Sequence, residues 1–129
     1  MPLVKIETRR GLTAEQKRLA LDAVHDALVT AFRIPRSDRH QRIVEYDAED
    51  FEIPPGKSER YMIVEIDAFA GRSIDAKRLL YKEIVAGLGA AGIEAGDILI
   101  LVRDAARENW GVRGGQAGSD IELGFEIEV

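Results

Sequence analysis

Residues 4–19, VKIETRRGLTAEQKRL, and residues 64–79, VEIDAFAGRSIDAKRL, align without a gap at an offset of about sixty residues. Val4 matches Val64, Ile6 matches Ile66, Gly11 matches Gly71, and Lys17-Arg18-Leu19 matches Lys77-Arg78-Leu79. Thr13/Ser73, Glu7/Asp67 and Val24/Ile84 are chemically similar pairs, and IPRSD at 34–38 returns as IEAGD at 93–97. The matches fall at structural landmarks, so the chain reads as two copies of one unit. That duplication constrains the fold more than any other feature, because one supersecondary unit has to serve twice.

Each unit reads as strand, turn, helix, strand. Val4 and Ile6, then Val64 and Ile66, recur with the period of two that marks a half-buried strand. Thr13 and Ser73 stand where an N-cap oxygen accepts from orphan helix amides, with Glu15 and Asp75 in the first turn. A first helix, about 13–32, carries Leu19, Ala23, Val24, Ala27, Leu28 and Ala31 on one stripe. A second, about 74–90, carries Leu79, Leu80, Ile84, Val85 and Leu88, and the glycines of GLGAAG end it. The returning strands are QRIVEY and DILILVR, the latter apolar enough for a central, doubly covered position.

Strand–helix–strand crossovers make parallel neighbours with right-handed connections. The expected class is therefore α/β (α+β): two fused β-α-β repeats forming a four-stranded mixed sheet with both helices on one face, plus a C-terminal strand or hairpin. One domain spans residues 1–129, with repeats at about 2–58 and 60–117. DAEDFEIPPGKSER is the polar linker between them, and the tail SDIELGFEIEV alternates strictly enough to read as a C-terminal strand over 118–129. The second face of the sheet has no third helix to cover it, and oligomerisation is the natural solution.

Composition narrows the chemistry. The chain has no cysteine, which removes disulfides, thiol nucleophiles and thiolate metal sites and fits a reducing cytoplasm. With two separated histidines, a metal centre would need mostly carboxylates, and no cluster shows suitable spacing. A net charge of −5 argues against nucleic acid, although RIPRSDRHQR runs against that trend as a basic loop. No segment approaches the roughly eighteen apolar residues of a membrane span, and no charged-then-apolar leader precedes the first strand. The expected location is cytoplasmic, without a membrane partner.

The first strand begins on Pro2, directly after Met1. Proline gives no N–H to a sheet and is at home at a strand start. Loss of Met1 would also leave there a free secondary amine; with Met1 in place the same nitrogen is an amide without basicity.

Met-Pro before a short strand, GRSIDAK opening a helix, and NWGVRGG after the last strand of the unit resemble the tautomerase superfamily. The second repeat is similar to the short subunit of 4-oxalocrotonate tautomerase. The first, with AVHDAL and IPRSDRHQ, is similar to the fused, double-length members, malonate semialdehyde decarboxylase among them. The resemblance covers residues 2 to about 117, and the tail departs from the decarboxylase pattern. It implies a cofactor-free enzyme in which the amine of Pro2 is catalytic, its pKa lowered by an apolar surrounding. It also implies a homotrimer of double-length chains.

Carried over residue by residue, the resemblance implies that Arg72 grips a substrate carboxylate bidentately or polarises the substrate. Where the decarboxylase has a second arginine two residues earlier, this chain has Ala70. Asp38 would orient water or hold the substrate near the proline, or simply pair with Arg36 or Arg39; Arg39 would help to bind an anion or neutralise Asp38. Trp110 would wall the pocket or anchor the core, and Val112 replaces a phenylalanine of the relatives. His25, at the edge of an apolar helix stripe, is a further substrate-binding candidate and otherwise a structural residue. The expected function is keto–enol tautomerisation of a small anionic 2-oxo or 3-oxo acid by Pro2, with Arg72 and Asp38. Decarboxylation or hydration of a malonate semialdehyde-like acid is the alternative at the same site. A non-catalytic homotrimer retaining Met1 is the reading from a different class.

Overall fold

The computed structural model describes residues 1–129. Its elements are β1 (Pro2–Arg9), α1 (Ala14–Phe32), β2 (His40–Tyr46), β3 (Met62–Phe69), α2 (Ile74–Ala90) and β4 (Ile98–Ala105), followed by a hairpin of β5 (Gly111–Val112) and β6 (Gln116–Ala117). The sheet runs β2-β1-β3-β4: β1 is parallel to β2, β3 is parallel to β4, and the two repeats join antiparallel through β1 and β3. The mixed sheet, the two helices and the C-terminal hairpin agree with the expected class.

The helices start where the sequence places their caps. Thr13 and Gln16 form a capping box: Thr13 Oγ1 accepts from the Gln16 N–H at 3.1 Å, and Gln16 Oε1 from the Thr13 N–H at 2.9 Å. Ser73 Oγ accepts from the Ala76 N–H at 3.1 Å. Gly11 and Gly71 turn the strands into the helices with the same φ of 137°, a conformation open to glycine and strained for other residues. Lys17 reaches Glu45 at 2.6 Å, and its counterpart Lys77 reaches Asp104 at 2.8 Å, so equivalent ion pairs tie each helix to its own returning strand.

The core lies between the sheet and the helices. Val4, Ile6, Met62, Val64, Ile66 and Ala68 are at most 1% exposed and meet Val24, Ala27 and Leu28 of α1 and Leu80, Ile84 and Leu88 of α2. The helices also pack on each other, so closely at one point that a Cβ on Gly87 would stand 2.9 Å from the Cβ of Ala23. No helix is long and apolar enough to cross a membrane.

Three expectations need correction. DILILVR is an edge strand, not a central one: the antiparallel join puts β1 and β3 in the middle, and Leu99 and Leu101 of β4 stand 51% and 45% exposed on the face away from the helices. Leu19 and its counterpart Leu79 are exposed rather than core, because Ala20 and Leu80, one position on, take the inward place. Residues 118–129 form a 3-10 turn and an unpaired extended tail, so the hairpin precedes the segment read as a strand. The tail's burial still alternates, but against loops and core edges, and Gly124 at φ 79° breaks its run.

The contact at Gly87 sets a test. Gly87→Val forces a side chain into Ala23 and costs about 1–3 kcal/mol of unfolding free energy. Gly89→Ala, two residues on with open space around it, gains about 0.5–1 kcal/mol from helix propensity. Urea titration of both variants reads the difference; equal effects would mean that the helices do not meet at Gly87.

Candidate active site

The antiparallel join decides which residues meet. Pro2 lies opposite Ala68, so the start of β1 sits beside the end of β3 and the turn that follows it. Pro2 is buried at that position. The Met1 amine bonds the carboxylate of Asp38, whose side chain is 13% exposed and also faces His40 Nε2 at 3.4 Å. One residue separates the Met1 amine from the Pro2 nitrogen, a span of about 3 Å by standard bond lengths. The Asp38 carboxylate therefore stands roughly 6 Å or less from that nitrogen.

Arg72 follows Gly71 into α2 and is only 6% exposed. Its Nη1 donates to the Phe69 carbonyl at 3.1 Å, and its guanidinium lies 4.9 Å from the centroid of the Phe32 ring. Nε and Nη2 are buried and have no partner in the chain. Burial pushes the Arg72 pKa down, and the charges of Asp104 and Asp38 oppose that push. A buried cation with two idle, parallel donors is a receptor for a planar anion.

Next to Met1 is a cavity of about 200 Å³, lined by Pro35, Asp38, Phe69, Val112, Arg113 and, from the tail, Ile121, Leu123 and Phe125. The Phe69 ring meets Trp110 edge-on at 5.1 Å, and Trp110 Nε1 donates to the Ala105 carbonyl at 3.3 Å. Trp110 thus backs the wall without being its surface. A larger cleft, about 800 Å³, lies along the tail, but Glu122, Glu126 and Glu128 line it and repel an anionic substrate.

The structure thus gathers Pro2, Asp38, Arg72 and Trp110 around one end of the β1–β3 join, with Arg72 reaching the cavity through Phe69 rather than lining it. It does not bring Arg39 there: that guanidinium bonds Asp22 at 2.9 Å and Gln41 at 3.1 Å on the surface. His25 is 2% exposed, bonded to the Arg36 backbone with its Nε2 unpartnered, and does not line the cavity. Burial pushes the His25 pKa down, with Arg39 adding to the effect and the Arg36 carbonyl opposing it. One carboxylate grouping does form, Asp47, Glu49 and Asp50, but it is exposed and Asp47 already accepts from Arg10 at 2.7 Å. Phe69, Arg113, Leu123 and Phe125 bound the cavity without having been singled out in the sequence.

The repeat supplies an internal control. Asp97 is the counterpart of Asp38, Met62 of Pro2 and Leu12 of Arg72. Asp97 is 5% exposed and accepts from the N–H and hydroxyl of Ser58 at 2.9 and 2.5 Å, bonds that hold its carboxyl below the usual range. There the linker fills the place that the chain terminus occupies at Asp38. At one end the aspartate is saturated by the linker, while at the other it stands beside a cavity and a buried, under-bonded arginine.

Residues 38–113 match the family model Tautomerase_2 and residues 2–56 the model Tautomerase, both described as tautomerase enzymes. The chain belongs to the tautomerase superfamily. Among solved structures it is similar to FG41 malonate semialdehyde decarboxylase inhibited by 3-bromopropiolate, with 30% identity, 88% of this chain and 91% of that one covered, and a TM-score of 0.82. A second malonate semialdehyde decarboxylase, described with decarboxylase and hydratase activities, matches at 26% identity over 87% and 92% of the two chains, with a TM-score of 0.81. A fused 4-OT described as a symmetric trimer matches at 26% identity over 91% and 96%, with a TM-score of 0.80. This superfamily member is an enzyme of the isomerase or decarboxylase kind.

The burial of His25 has a pH consequence. Its folded pKa lies below the unfolded value of about 6.5, so in acid the unfolded chain takes up a proton that the folded one refuses. Stability therefore falls as the pH drops below about 6.5. His25→Leu should flatten the decline in urea midpoint between pH 7.5 and 5.5; an unchanged decline would show that the imidazole protonates freely in the fold.

Proposed function

We propose that the chain, once Met1 is removed, is a cofactor-independent enzyme that interconverts the keto and enol forms of a small 2-oxo or 3-oxo acid. The observation that carries this reading is the position of the terminal amine, held on Asp38 beside the cavity and within a residue of the buried Pro2 nitrogen. Removal of Met1 turns that amide nitrogen into a buried secondary amine, whose charged form desolvation disfavours and the Asp38 carboxylate favours, so that its proton is exchangeable. The neutral amine takes the proton from the carbon beside the carbonyl, and the C–H electron pair moves to give the enolate. The ammonium then returns the proton to oxygen, or to the next carbon of a conjugated acid. Arg72 supplies the positive charge for the carboxylate from behind Phe69, and a shift of that wall on binding would bring its unpartnered Nε and Nη2 to the carboxylate. Asp38 positions the substrate, and Trp110, through Phe69, keeps water from the proline.

A second reading, decarboxylation or hydration of a malonate semialdehyde-like acid, is supported by the same carboxylate beside the amine and by the two decarboxylases at 30% and 26% identity. In it Pro2 stays protonated and Asp38 activates water.

The intact mass should show the chain without Met1. Ketonisation of phenylenolpyruvate should fall about 10²–10⁴-fold in Pro2→Ala and about 10²–10³-fold in Arg72→Ala. Equal rates in wild type and Pro2→Ala would defeat the proline mechanism. Carbon dioxide release from malonate semialdehyde separates the second reading from the first.

The proposal includes a homotrimer. Leu99 and Leu101 lie uncovered on the outer sheet face, and the fused 4-OT at 26% identity is described as a trimer. Leu101→Glu should move the sedimenting species from trimer toward monomer. A wild type that sediments as a monomer contradicts the assembly.

A further inference from the structure

The mechanism leaves residues 118–129 without a role, yet the fold fastens them with some care. Arg107 donates to the Gly118 carbonyl from Nε at 3.1 Å and from Nη2 at 2.8 Å, and from Nη2 to the Ile121 carbonyl at 2.7 Å. Arg113 Nη2 holds the Glu122 carbonyl at 3.0 Å. At the far end the Ser73 N–H donates to the Val129 oxygen at 3.0 Å, and Ile127 passes so near Gly71 that a Cβ there would stand 3.4 Å from its carbonyl oxygen. Two arginines and the start of α2 therefore stretch this segment across the site. Between the ties, Leu123 and Phe125 are half-buried against the cavity, while Glu122, Glu126 and Glu128 are exposed.

We infer that Leu123 and Phe125 are specificity-determining residues, which make the enzyme select 2-oxo acids carrying an apolar substituent, an aryl or branched alkyl group, over three-carbon acids. The inference rests on the proposed function for its other two anchors, Arg72 for the carboxylate and Pro2 for the carbon beside the carbonyl. The third region, the cavity, is lined mostly by apolar groups, Phe69, Val112, Leu123 and Phe125 among them, with Asp38 and Arg113 as its charged residues. A three-carbon acid leaves those surfaces against water; a ring or branched chain removes apolar area from it on both sides. The alternation in the tail is the sequence signature of its dry side, of which Ile121, Leu123 and Phe125 line the cavity and Phe125 and Val129 pack on the core.

Calorimetric titration of the Met1-free protein with phenylpyruvate and with pyruvate tests the wall. The wild type should hold phenylpyruvate at least about tenfold tighter. Phe125→Ala and Leu123→Ala should each lose most of that ratio, and Phe125→Leu should keep it. Should Phe125→Ala fail to fold, the other two variants give the same readout. Equal affinities in the wild type, or variants that weaken both ligands alike, overturn the inference. The enol assay on the Met1-free wild type stands apart: selective binding without turnover supports the wall and removes the catalytic reading, whereas turnover without selectivity removes the wall alone.

Discussion

Pro2 faces Ala68 across the single antiparallel join of the four-stranded sheet, and the position of every other site residue follows from that pairing. Each repeat by itself would form two parallel strands under one helix, with its strand start and its Gly-Arg or Gly-Leu turn at opposite ends. Joining the copies antiparallel exchanges the ends. The start of the first repeat meets the turn of the second, so the terminal amine and Arg72 arrive at one place from positions seventy residues apart. The same join buries Val4, Ile6, Val64 and Ile66 at the centre of the core, which makes the site a by-product of the strongest packing in the molecule.

A duplicated chain has two such ends, and the comparison between them separates architecture from chemistry. Both keep the aspartate, the glycine at φ 137° and the helix cap. At the second end Leu12 stands for arginine, Met62 for proline, and Ser58 saturates Asp97. What both ends share the fold requires; what only the first retains calls for another explanation. Arg72 and Pro2 fall in the second group. Asp38 falls in both, and its partner tells the two ends apart: a chain terminus there, a linker serine here.

The topology was legible because the repeat is. Gly11 and Gly71, Thr13 and Ser73, and the buried pairs in β1 and β3 each mark the same structural event twice, and one copy corroborates the other. The residues brought together at the site were legible for the same reason, since Asp38 and Arg72 occupy landmarks of the repeat. The failures lie where burial depends on a partner that a local pattern cannot name. DILILVR has the composition of a central strand because its outer leucines need a cover, and the chain alone leaves them at an edge. The tail alternates as a strand does, but alternation reports a surface with one dry side, not a ladder of hydrogen bonds; Gly124 was the signal against a regular strand. Arg39 adjoins Asp38 in sequence, yet Asp22 draws it outward, and the helical position of His25 buries its ring behind the surface.

Arg72 shows what this arrangement costs. Withdrawing a guanidinium from water costs several kcal/mol even after the surroundings relax. The ring of Phe32 returns about 0.5–2 kcal/mol as a cation–π contact, and the bond to the Phe69 carbonyl about 1.5–3. Asp104 and Asp38 help from a distance, but neither closes on Nε or Nη2. A structural arginine in this place would have drawn a carboxylate onto those atoms, as Arg103 does on the outer sheet face, where Asp67 meets it at 2.7 and 3.1 Å and Glu65 at 3.1 Å. The two arginines lie on opposite faces of one sheet, the exposed one fully paired and the buried one left short. Folding alone gives no reason to put the deficit on the buried side, where it costs most. The proposed ligand, which brings its own carboxylate, would supply one, because it would meet a cation already stripped of water and held in place.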